Sequence, residues 1–246
     1  MIQNFHSFKV LQSNIILSMG KKTAAIIGSG GLIGSQLLRH LSEDPEYGTI
    51  RTLVRWPATP LHPKQEEKLV DFNDAESILL ALVDVAVVFC AIGTTLKKVG
   101  GDRKRYWQID HDIPLRVCRM ALEAGCREMV LVSAIGANSS SSNFYLQLKG
   151  KTEEDLAATG MPSLHIMQPS LLLGQRKEHR RMETIGQRIM KPASSLLSGS
   201  WLKYRAIDAG EVASAMIEAV HTGRTGVFRY TWKEMKELSD RYTSDH

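Results

Sequence analysis

The sequence predicts an α/β fold of the doubly wound type, in which helices cover both faces of a parallel β-sheet. From Thr23 onward, apolar runs of strand length alternate with amphipathic stretches of helix length, and a glycine-rich turn joins the first run to the first helix. The 246 residues suffice for one large domain but not for two. We expect a single domain over residues 23–246 with a small appendage at about 175–205. Residues 1–22 are expected to be an extension, with the part ahead of Met19 either a start-site extension or an ordered arm.

Hydrophobic periodicity places seven strands and six helices along this domain. The strands are expected at 23–28, 49–54, 67–71, 85–91, 128–133, 163–168 and about 226–230. The helices are expected at 32–42, 74–82, 103–124, 144–159, 210–221 and 232–240. The helix at 210–221 has one apolar face, as expected of a helix that packs on a sheet, formed by Val212, Met216, Ala219 and Val220.

The composition excludes several classes of protein. The excess of 31 basic over 26 acidic residues gives a net charge of +5, which suits an anionic ligand but is too small to indicate nucleic-acid binding. The chain has no apolar run long enough to cross a bilayer, so no membrane partner is expected. Three cysteines lie at no metal-like spacing, and the patch Ile15–Leu17 is too short for a secretory signal core, so we expect reduced thiols in a cytoplasmic protein without zinc or disulfides.

The first strand leads into a glycine turn that is typical of phosphate-binding sites. The turn reads G-x-x-G-x-x-G through Gly28, Gly31 and Gly34, a variant of the dinucleotide-binding fingerprint of Rossmann folds. Glycine permits positive φ and close approach of the backbone to a ligand, while the following helix start offers unpaired N–H groups. The alternative is a tight strand-to-helix turn without a ligand. The predicted cofactor-binding residues here are Gly28, Ser29, Gly30, Gly31, Leu32, Ile33 and Gly34.

The residue that follows the second strand distinguishes between the two nicotinamide dinucleotides. In a dinucleotide fold this position carries a carboxylate for the ribose hydroxyl of NAD or an arginine for the 2′-phosphate of NADP. Here it is Arg55, and no carboxylate stands beside it. The sequence therefore favours NADP(H) over NAD(H). The alternative is that Arg55 is an ordinary exposed loop arginine.

Two further strand ends supply candidate cofactor contacts. Asp71 and Phe72 follow the third strand and are expected to flank the adenine ring, although helix capping by Asp74 and plain packing of Phe72 explain the same residues. The fourth strand ends in a glycine-containing turn at the carboxyl edge of the sheet, where ligands bind in open α/β folds. The candidate residues of that turn are Ala91, Ile92, Gly93 and Thr94.

The candidate catalytic residues follow the fifth strand. That strand ends at Ser133, and Tyr145 and Lys149 lie one helical turn apart in the helix that comes next. A neighbouring ammonium favours the tyrosinate form, so we expect Lys149 to lower the pKa of Tyr145 and make it a proton donor or acceptor near neutral pH. A serine hydroxyl nearby would hold the substrate oxygen. The alternative is that Tyr145 and Lys149 form only a helix-surface pair.

The sequence resembles the atypical short-chain dehydrogenases/reductases with an epimerase-like Rossmann domain, in particular the Tat-interacting-protein-like oxidoreductases. The matching pieces span most of residues 23–176 and are Gly28–Gly34, Cys90–Thr95, Leu131–Ser133, Ser139–Gly150 and Gln168–Gly174. This resemblance implies that Tyr145 is the general acid/base, that Lys149 binds the nicotinamide ribose and that Ser133 orients the substrate. It also implies that the segment with Pro169, Leu171 and Leu172 lines the nicotinamide pocket.

The sequence departs from the family pattern at a few positions. Ser170 stands where the family often has glycine, Ser133 is followed by Ala134 and Ile135, and the serines of residues 139–142 offer rival hydroxyls. The basic segment 176–191 is either a solvated helix or a surface for an anionic substrate or a protein partner. Cys90 is expected to be a buried small hydrophobic residue rather than a redox site, and His111 and His165 are expected to be structural.

Two functions of different class follow from these observations. The first is an NADP(H)-dependent oxidoreductase that acts on a small carbonyl or alcohol substrate through Tyr145, Lys149 and Ser133. The second is a non-catalytic NADP(H)-binding regulatory protein that senses redox state and contacts a partner through a surface such as 175–192. The substrate's identity and the oligomeric state are left open by the sequence.

Overall fold

The computed structural model describes residues 20–57, 60, 62–174 and 199–245. The strands are β1 (Lys22–Ile27), β2 (Tyr47–Val54), β3 (Gln65–Leu69), β4 (Val87–Cys90), β5 (Glu128–Val132), β6 (Ser163–Met167), β7 (Leu172–Leu173), β8 (Ile207–Asp208) and β9 (Gly226–Tyr230). The helices are α1 (Leu32–Glu43), α2 (Ala75–Ala81), α3 (Arg103–Trp107), α4 (Ile113–Glu123), α5 (Phe144–Ala157), α6 (Ala209–His221) and α7 (Trp232–Asp245).

The main sheet has seven strands in the order β3-β2-β1-β4-β5-β6-β9, and every neighbouring pair is parallel. The chain order reverses direction between β1 and β4, so the loops that leave these two strands diverge and open a crevice at the carboxyl edge. The predicted fold class is confirmed, and so are all seven predicted strands.

The sheet is buried on both faces by helices, which explains why its central strands are continuously apolar. Along β1, Ala24 and Ile26 belong to the hydrophobic cluster that includes α1, α6 and α7, whereas Ala25 and Ile27 belong to the cluster that includes α2, α4 and α5. All four side chains are almost completely buried. Alternation within one strand thus joins the two hydrophobic layers of the single domain.

Short polar side chains fix the starts of several helices. Asn143 begins α5 by accepting hydrogen bonds from the backbone N–H groups of Tyr145 and Leu146. Asp74 caps α2 by accepting from the N–H of Glu76, so the capping role considered for this residue is confirmed. The cap at Asn143 places Tyr145 in the first turn of α5.

Three features differ from the sequence prediction. The helix predicted at 103–124 is interrupted by a π turn at Gln108–Asp112, and α4 resumes with Pro114 in its first turn, where a missing N–H costs little. The short strands β7 and β8 pair with each other in a second, two-stranded sheet. The last helix continues to Asp245 rather than 240.

Other predicted features lie outside the described residues. These are nearly all of the extension at 1–22 and most of the appendage at 175–205, including the basic segment 176–191. Among the residues that are described, no helix has the length and apolar character needed to span a bilayer.

Candidate functional site

The glycine turn after β1 is packed so closely that side chains cannot be added at two of its positions. Gly28 has φ +87°, and a Cβ there would lie 2.7 Å from the backbone carbonyl carbon of Ala91 in the loop after β4. A Cβ on Gly34 would lie 2.0 Å from the carbonyl oxygen of Gly28. The glycine spacing therefore allows α1 to pack against its own preceding turn and against the neighbouring loop.

The start of α1 is suited to an anion. Its cap residue, Gly31, provides no side-chain hydrogen bond, and the first turn contains no acidic residue, so the N–H groups of this turn are left for a ligand. A Cβ at Gly30 would have nothing within 4 Å, so the turn is open on this side. The residues present thus fit the pyrophosphate of a dinucleotide, held by backbone N–H groups and the helix dipole.

A cavity of about 640 Å³ lies at the ends of β2 and β3. Its walls combine the ends of these strands with side chains from α3, the π turn and α4. Arg55, Asp71 and Phe72, which the sequence predicts as cofactor contacts, all line it. Phe72 is also 5% exposed and packs in the core, so its packing role is confirmed without excluding contact with an adenine ring.

The candidate catalytic lysine is held in a buried ion pair. Lys149 Nζ lies 3.1 Å from Asp110 Oδ1, and the two side chains are 8% and 1% exposed. The other carboxylate oxygen of Asp110 accepts a hydrogen bond of 2.9 Å from the backbone N–H of Thr94, in the turn after β4. Burial opposes the charge on Lys149, but Asp110 and the nearby Tyr145 raise the pKa of the ammonium above its usual value. Lys149 is therefore a fixed cation at the carboxyl edge of the sheet.

Gly150, the residue after Lys149 in α5, allows this helix to pack closely against the loop after β5. A Cβ at Gly150 would lie 2.2 Å from the carbonyl carbon of Asn138, because the loop after β5 lies directly against α5 at this point. The residue that follows the lysine is therefore limited to glycine by contact with that loop. This contact fixes α5 relative to the end of β5.

The side chain of Tyr145 is 40% exposed and lies within electrostatic reach of Lys149. Burial raises the pKa of its phenol, Lys149 lowers it, and Asp110 raises it, with a net rise above the usual value. The expected lowering of this pKa is therefore wrong. The pKa is raised because desolvation opposes the phenolate and because the negative charge of Asp110 offsets the effect of Lys149. Neither effect can be inferred from the Tyr-x-x-x-Lys spacing.

Ser133 lies at the end of β5 and is 4% exposed. Its hydroxyl donates a hydrogen bond of 2.6 Å to Glu153, a buried carboxylate on α5. Glu153 also accepts from the Gln168 amide at 2.8 Å and from Arg229 Nε at 2.8 Å, so it joins β5, β6 and β9 to the helix. The hydroxyl hydrogen of Ser133 is thus used inside the protein, and only its oxygen lone pairs are left for a substrate.

The segment after β6 is anchored by backbone contacts on both sides. The carbonyl of Pro169 accepts a hydrogen bond of 3.0 Å from the N–H of Ile135, and Leu172 pairs with Ile207 in the second sheet. The hydroxyl of Ser170 donates to the carbonyl of Arg205. Serine in place of the family's glycine therefore links this segment to the residues that precede α6.

The residues outside the site that were considered as candidates are structural. Cys90 is fully buried, and burial raises the pKa of its thiol to about 12, so its interpretation as a small core residue is confirmed. His165 is also buried, with hydrogen bonds to Ser163 and Tyr230. His111 bonds through both ring nitrogens to carboxylates on its own turn and on α5.

Sequence reasoning missed the acidic partners of the site. Asp110 and Glu153 both lie inside stretches predicted as regular helix, where an acidic residue is ordinarily solvated. A signal for Asp110 was present in Pro114, because a proline inside a helical pattern indicates an irregular turn before it. The position of Glu153, two turns after Tyr145, placed it on the same helix face as the tyrosine and the lysine.

The fold and this site define a dinucleotide-binding protein of the Rossmann type. Residues 28–222 match the model of a protein family described as NAD(P)H-binding, and the chain belongs to this family. Among curated proteins, it is similar to "Protein FMP52, mitochondrial" of Candida albicans, with 32% identity over 209 residues, 82% of this chain and 89% of the relative. The protein of the same name from Debaryomyces hansenii is 35% identical over 200 residues, 79% of this chain and 86% of the relative.

Solved structures show the same fold at low sequence identity. A UDP-N-acetylglucosamine 4-epimerase from Methanobrevibacter ruminantium, in complex with UDP-N-acetylmuramic acid, matches with a TM-score of 0.65 and 17% identity, covering 86% of this chain and 76% of the epimerase. MoeE5 in complex with UDP-glucose and NAD matches with a TM-score of 0.65 and 15% identity, covering 90% of this chain and 82% of that protein. The resemblance to atypical short-chain dehydrogenases/reductases with an epimerase-like Rossmann domain is confirmed.

The expectation of a cytoplasmic protein is wrong. Relatives from several fungi, including Candida albicans, Candida glabrata and Saccharomyces cerevisiae, are named as mitochondrial proteins. The expectation depended on reduced cysteines and on the lack of a secretory signal core, and these observations argue only against an oxidising compartment. They do not distinguish the cytoplasm from the interior of an organelle.

Proposed function

We propose that the protein is an NADP(H)-dependent oxidoreductase that interconverts a small carbonyl compound and the corresponding alcohol. The observation that carries this proposal is the Lys149–Asp110 ion pair, a buried fixed cation beside a partly exposed tyrosine. Both side chains belong to the carboxyl edge of the sheet, where the glycine turn offers its anion site. A buried charge pair beside a reachable phenol is typical of a site for proton transfer.

Tyr145 is the proposed general acid for carbonyl reduction. Because the pKa of its phenol is raised, Tyr145 is protonated at neutral pH and can donate the proton from Oη to the substrate oxygen. The ammonium of Lys149 then stabilises the phenolate that is left, and Asp110 keeps that ammonium charged and in place. The nicotinamide, when bound, supplies the hydride. In alcohol oxidation the same phenol oxygen takes the proton back.

Ser133 is the proposed orienting residue. Since its hydrogen is donated to Glu153, the free lone pairs of Oγ accept a hydrogen bond from the hydroxyl of an alcohol substrate. Lys149 is proposed to bind the nicotinamide ribose with the N–H groups that Asp110 does not use. Pro169, Leu171 and Leu172 are proposed to cover the nicotinamide ring.

The preference for NADP(H) is supported by Arg55. It directly follows β2, it lines the cavity at the adenine end, and the residues from Val54 to Pro57 contain no carboxylate for a ribose hydroxyl. Parallel titrations with NADPH and NADH test this assignment. Tighter binding of NADPH is expected, and tighter binding of NADH would overturn the preference.

The test of the reaction is a panel of small aldehydes and ketones, followed by loss of NADPH absorbance. Tyr145→Phe is expected to bind NADPH like the wild type and to lose at least about 100-fold in turnover, the usual contribution of a general acid. Tyr242→Phe makes the same change in α7, away from the site, and serves as the matched control. Equal turnover of Tyr145→Phe and Tyr242→Phe would exclude the assigned role.

A second function is a non-catalytic NADP(H)-binding redox sensor. One observation favours it: the hydroxyl hydrogen of Ser133 is used by Glu153. NADPH binding without turnover across the carbonyl panel would support the sensor over the enzyme. The basic segment 176–191 is then the proposed contact with a protein partner, tested by binding experiments with its arginines replaced.

We also propose a mitochondrial location for this chain. Its mitochondrial relatives support this, and residues 1–18 contain no acidic residue, as is typical of targeting peptides. Fluorescence imaging of the full chain and of a form that begins at Met19, both tagged at the carboxyl end, tests the proposal. Mitochondrial signal is expected for the full chain only, and diffuse signal from both forms would contradict it.

A further inference from the structure

The cavity of about 640 Å³ is lined by two arginines whose guanidinium groups have no partner among the described residues. Arg55 lines it from the end of β2, and Arg105 lines it from α3. Within the described part of the chain, neither guanidinium makes an ion pair or a hydrogen bond. Arg116, on the same wall, differs from them because it donates to the carbonyl of Phe72 and to the Asn73 side chain.

The acidic groups of the same cavity are already occupied. The Asp71 carboxylate accepts a hydrogen bond of 2.8 Å from the N–H of Asn73, and the Asp112 carboxylate lies 2.7 Å from His111 Nδ1. Neither is paired with Arg55 or Arg105. The two arginines are therefore not ion-paired within the described residues, and an anion with several oxygens is the ligand chemistry that would bind both.

The apolar part of the wall adds an aromatic surface. Trp56, next to Arg55, lines the cavity with 79% of its side chain exposed, which is unusual for the largest apolar residue. Ile109 and Ile113 line the cavity from the π turn and α4. A flat aromatic base bound between these groups, with a phosphate at the two arginines, is the chemistry of an adenosine 2′-phosphate.

Arg105 is held on a segment with little freedom. The N–H of Arg105 donates to the Asp102 side chain that caps α3, and the carbonyl of Arg105 accepts the N–H of Gln108 as the π turn begins. The same π turn carries Asp110, the partner of Lys149. The backbone that presents Arg105 is thus continuous with the turn that positions the candidate catalytic lysine.

We propose that Arg105 is a second ligand of the 2′-phosphate, and that Arg55 and Arg105 together set the preference for NADP(H) over NAD(H). This inference rests on the proposed NADP(H)-dependent function and adds a specificity-determining residue to it. The two arginines come from different elements, 50 positions apart in the chain, and close on the phosphate from two sides of the cavity.

Adenosine 2′,5′-bisphosphate and adenosine 5′-monophosphate test the inference without any catalytic step. Their dissociation constants are measured by titration calorimetry on the full chain, for the wild type, Arg55→Ala, Arg105→Ala and the double variant. Arg105→Ala is expected to weaken the bisphosphate about tenfold and to leave the monophosphate unchanged, because one partly exposed charge-assisted contact is lost. The double variant is expected to lose about 100-fold if the two contacts act independently.

Two further variants separate a phosphate contact from a general effect of charge. Lys104 belongs to the same helix as Arg105 but does not line the cavity. Lys104→Ala is therefore expected to change the dissociation constants of the bisphosphate and the monophosphate by the same small factor. Arg105→Lys keeps the charge but loses the planar fork, and partial recovery of bisphosphate affinity is expected. Equal effects of Arg105→Ala and Lys104→Ala would overturn the inference.

The failure of this inference can be told apart from failure of the proposed function. If the wild type prefers the bisphosphate and only Arg55→Ala removes that preference, the NADP(H) assignment stands and the role of Arg105 is wrong. If the wild type binds both nucleotides equally, the NADP(H) assignment itself is wrong, and the inference falls with it. Raising the salt concentration is expected to reduce the preference for the bisphosphate over the monophosphate more in the wild type than in Arg105→Ala.

Discussion

Replacement of Asp110 by asparagine gives the sharpest prediction about the site. The amide keeps the shape of the carboxylate and an oxygen for the N–H of Thr94, but it removes the charge that faces Lys149 at 3.1 Å. Breaking a buried ion pair costs about 3–5 kcal/mol, because the remaining charge stays buried without compensation. The single amide oxygen cannot both accept from Thr94 and face the ammonium of Lys149, so we expect a loss of at least about 3 kcal/mol for Asp110→Asn.

The assay is urea unfolding of the full chain at neutral pH, followed by circular dichroism. A loss of about 3 kcal/mol corresponds to a fall in melting temperature of about 6–12 °C for a domain of this size. Asp240→Asn is the matched control, since Asp240 pairs with Lys236 at 2.7 Å but both side chains are well exposed. Such a surface pair is expected to contribute less than about 1 kcal/mol.

A double variant shows whether the unpaired charge is the cause. In Asp110→Asn with Lys149→Met, no charge is left buried, so the double variant is expected to be more stable than Asp110→Asn alone. If Asp110→Asn were no more destabilising than Asp240→Asn, the Lys149–Asp110 pair would not have the energetics of a buried ion pair. If adding Lys149→Met lowered stability further, the unpaired ammonium would not be the cause of the loss.

Three other predictions concern the rest of the molecule. Gly34→Ala is expected to abolish nucleotide binding, measured by calorimetry, because its Cβ would lie 2.0 Å from a carbonyl oxygen of the glycine turn; unchanged binding would contradict this. The Asp44 carboxylate, 3.4 Å from His221 Nε2, raises the pKa of His221 above 6.5, so its contribution to stability is complete below that pH and is lost as pH rises through the raised value. His221→Gln should therefore flatten the dependence of the unfolding free energy on pH above 6.5, as measured in urea; an unchanged slope would count against it. Ser133→Ala removes a buried hydrogen bond to Glu153, and a loss of about 1–2 kcal/mol in urea unfolding is expected, whereas no loss would show that the bond is not maintained in solution.

The elements of the fold were predictable because their causes are local. The glycine turn, the alternation of strand and helix patterns and the cap at Asp74 each depend on neighbours in the sequence. The short strands β7 and β8 were not predictable in the same way. Each has two residues, and they pair only because the chain returns to the same place after the residues that lie between them.

The candidate residues Lys149 and Tyr145 could be predicted from the sequence, but the charges and burial around them could not. Lys149 and Tyr145 were found from their spacing, whereas the carboxylate that faces Lys149 lies 39 positions earlier in the chain, within a π turn that shifts the helical phase. Burial of the Tyr145 phenol, which raises its pKa, is a property of packing. The meeting of Arg55 and Arg105 at one cavity is likewise a consequence of tertiary structure.

A crystal structure of the full chain with bound NADP⁺ would show where each part of the dinucleotide lies. The pyrophosphate is expected to contact the N–H groups of the turn Gly28–Gly34 at the start of α1, and Lys149 is expected to donate to a hydroxyl of the nicotinamide ribose while keeping its bond to Asp110. The 2′-phosphate is predicted to lie in the cavity beside Arg55. A dinucleotide bound elsewhere, or bound at this edge with its nicotinamide remote from Tyr145 and Lys149, would contradict the account.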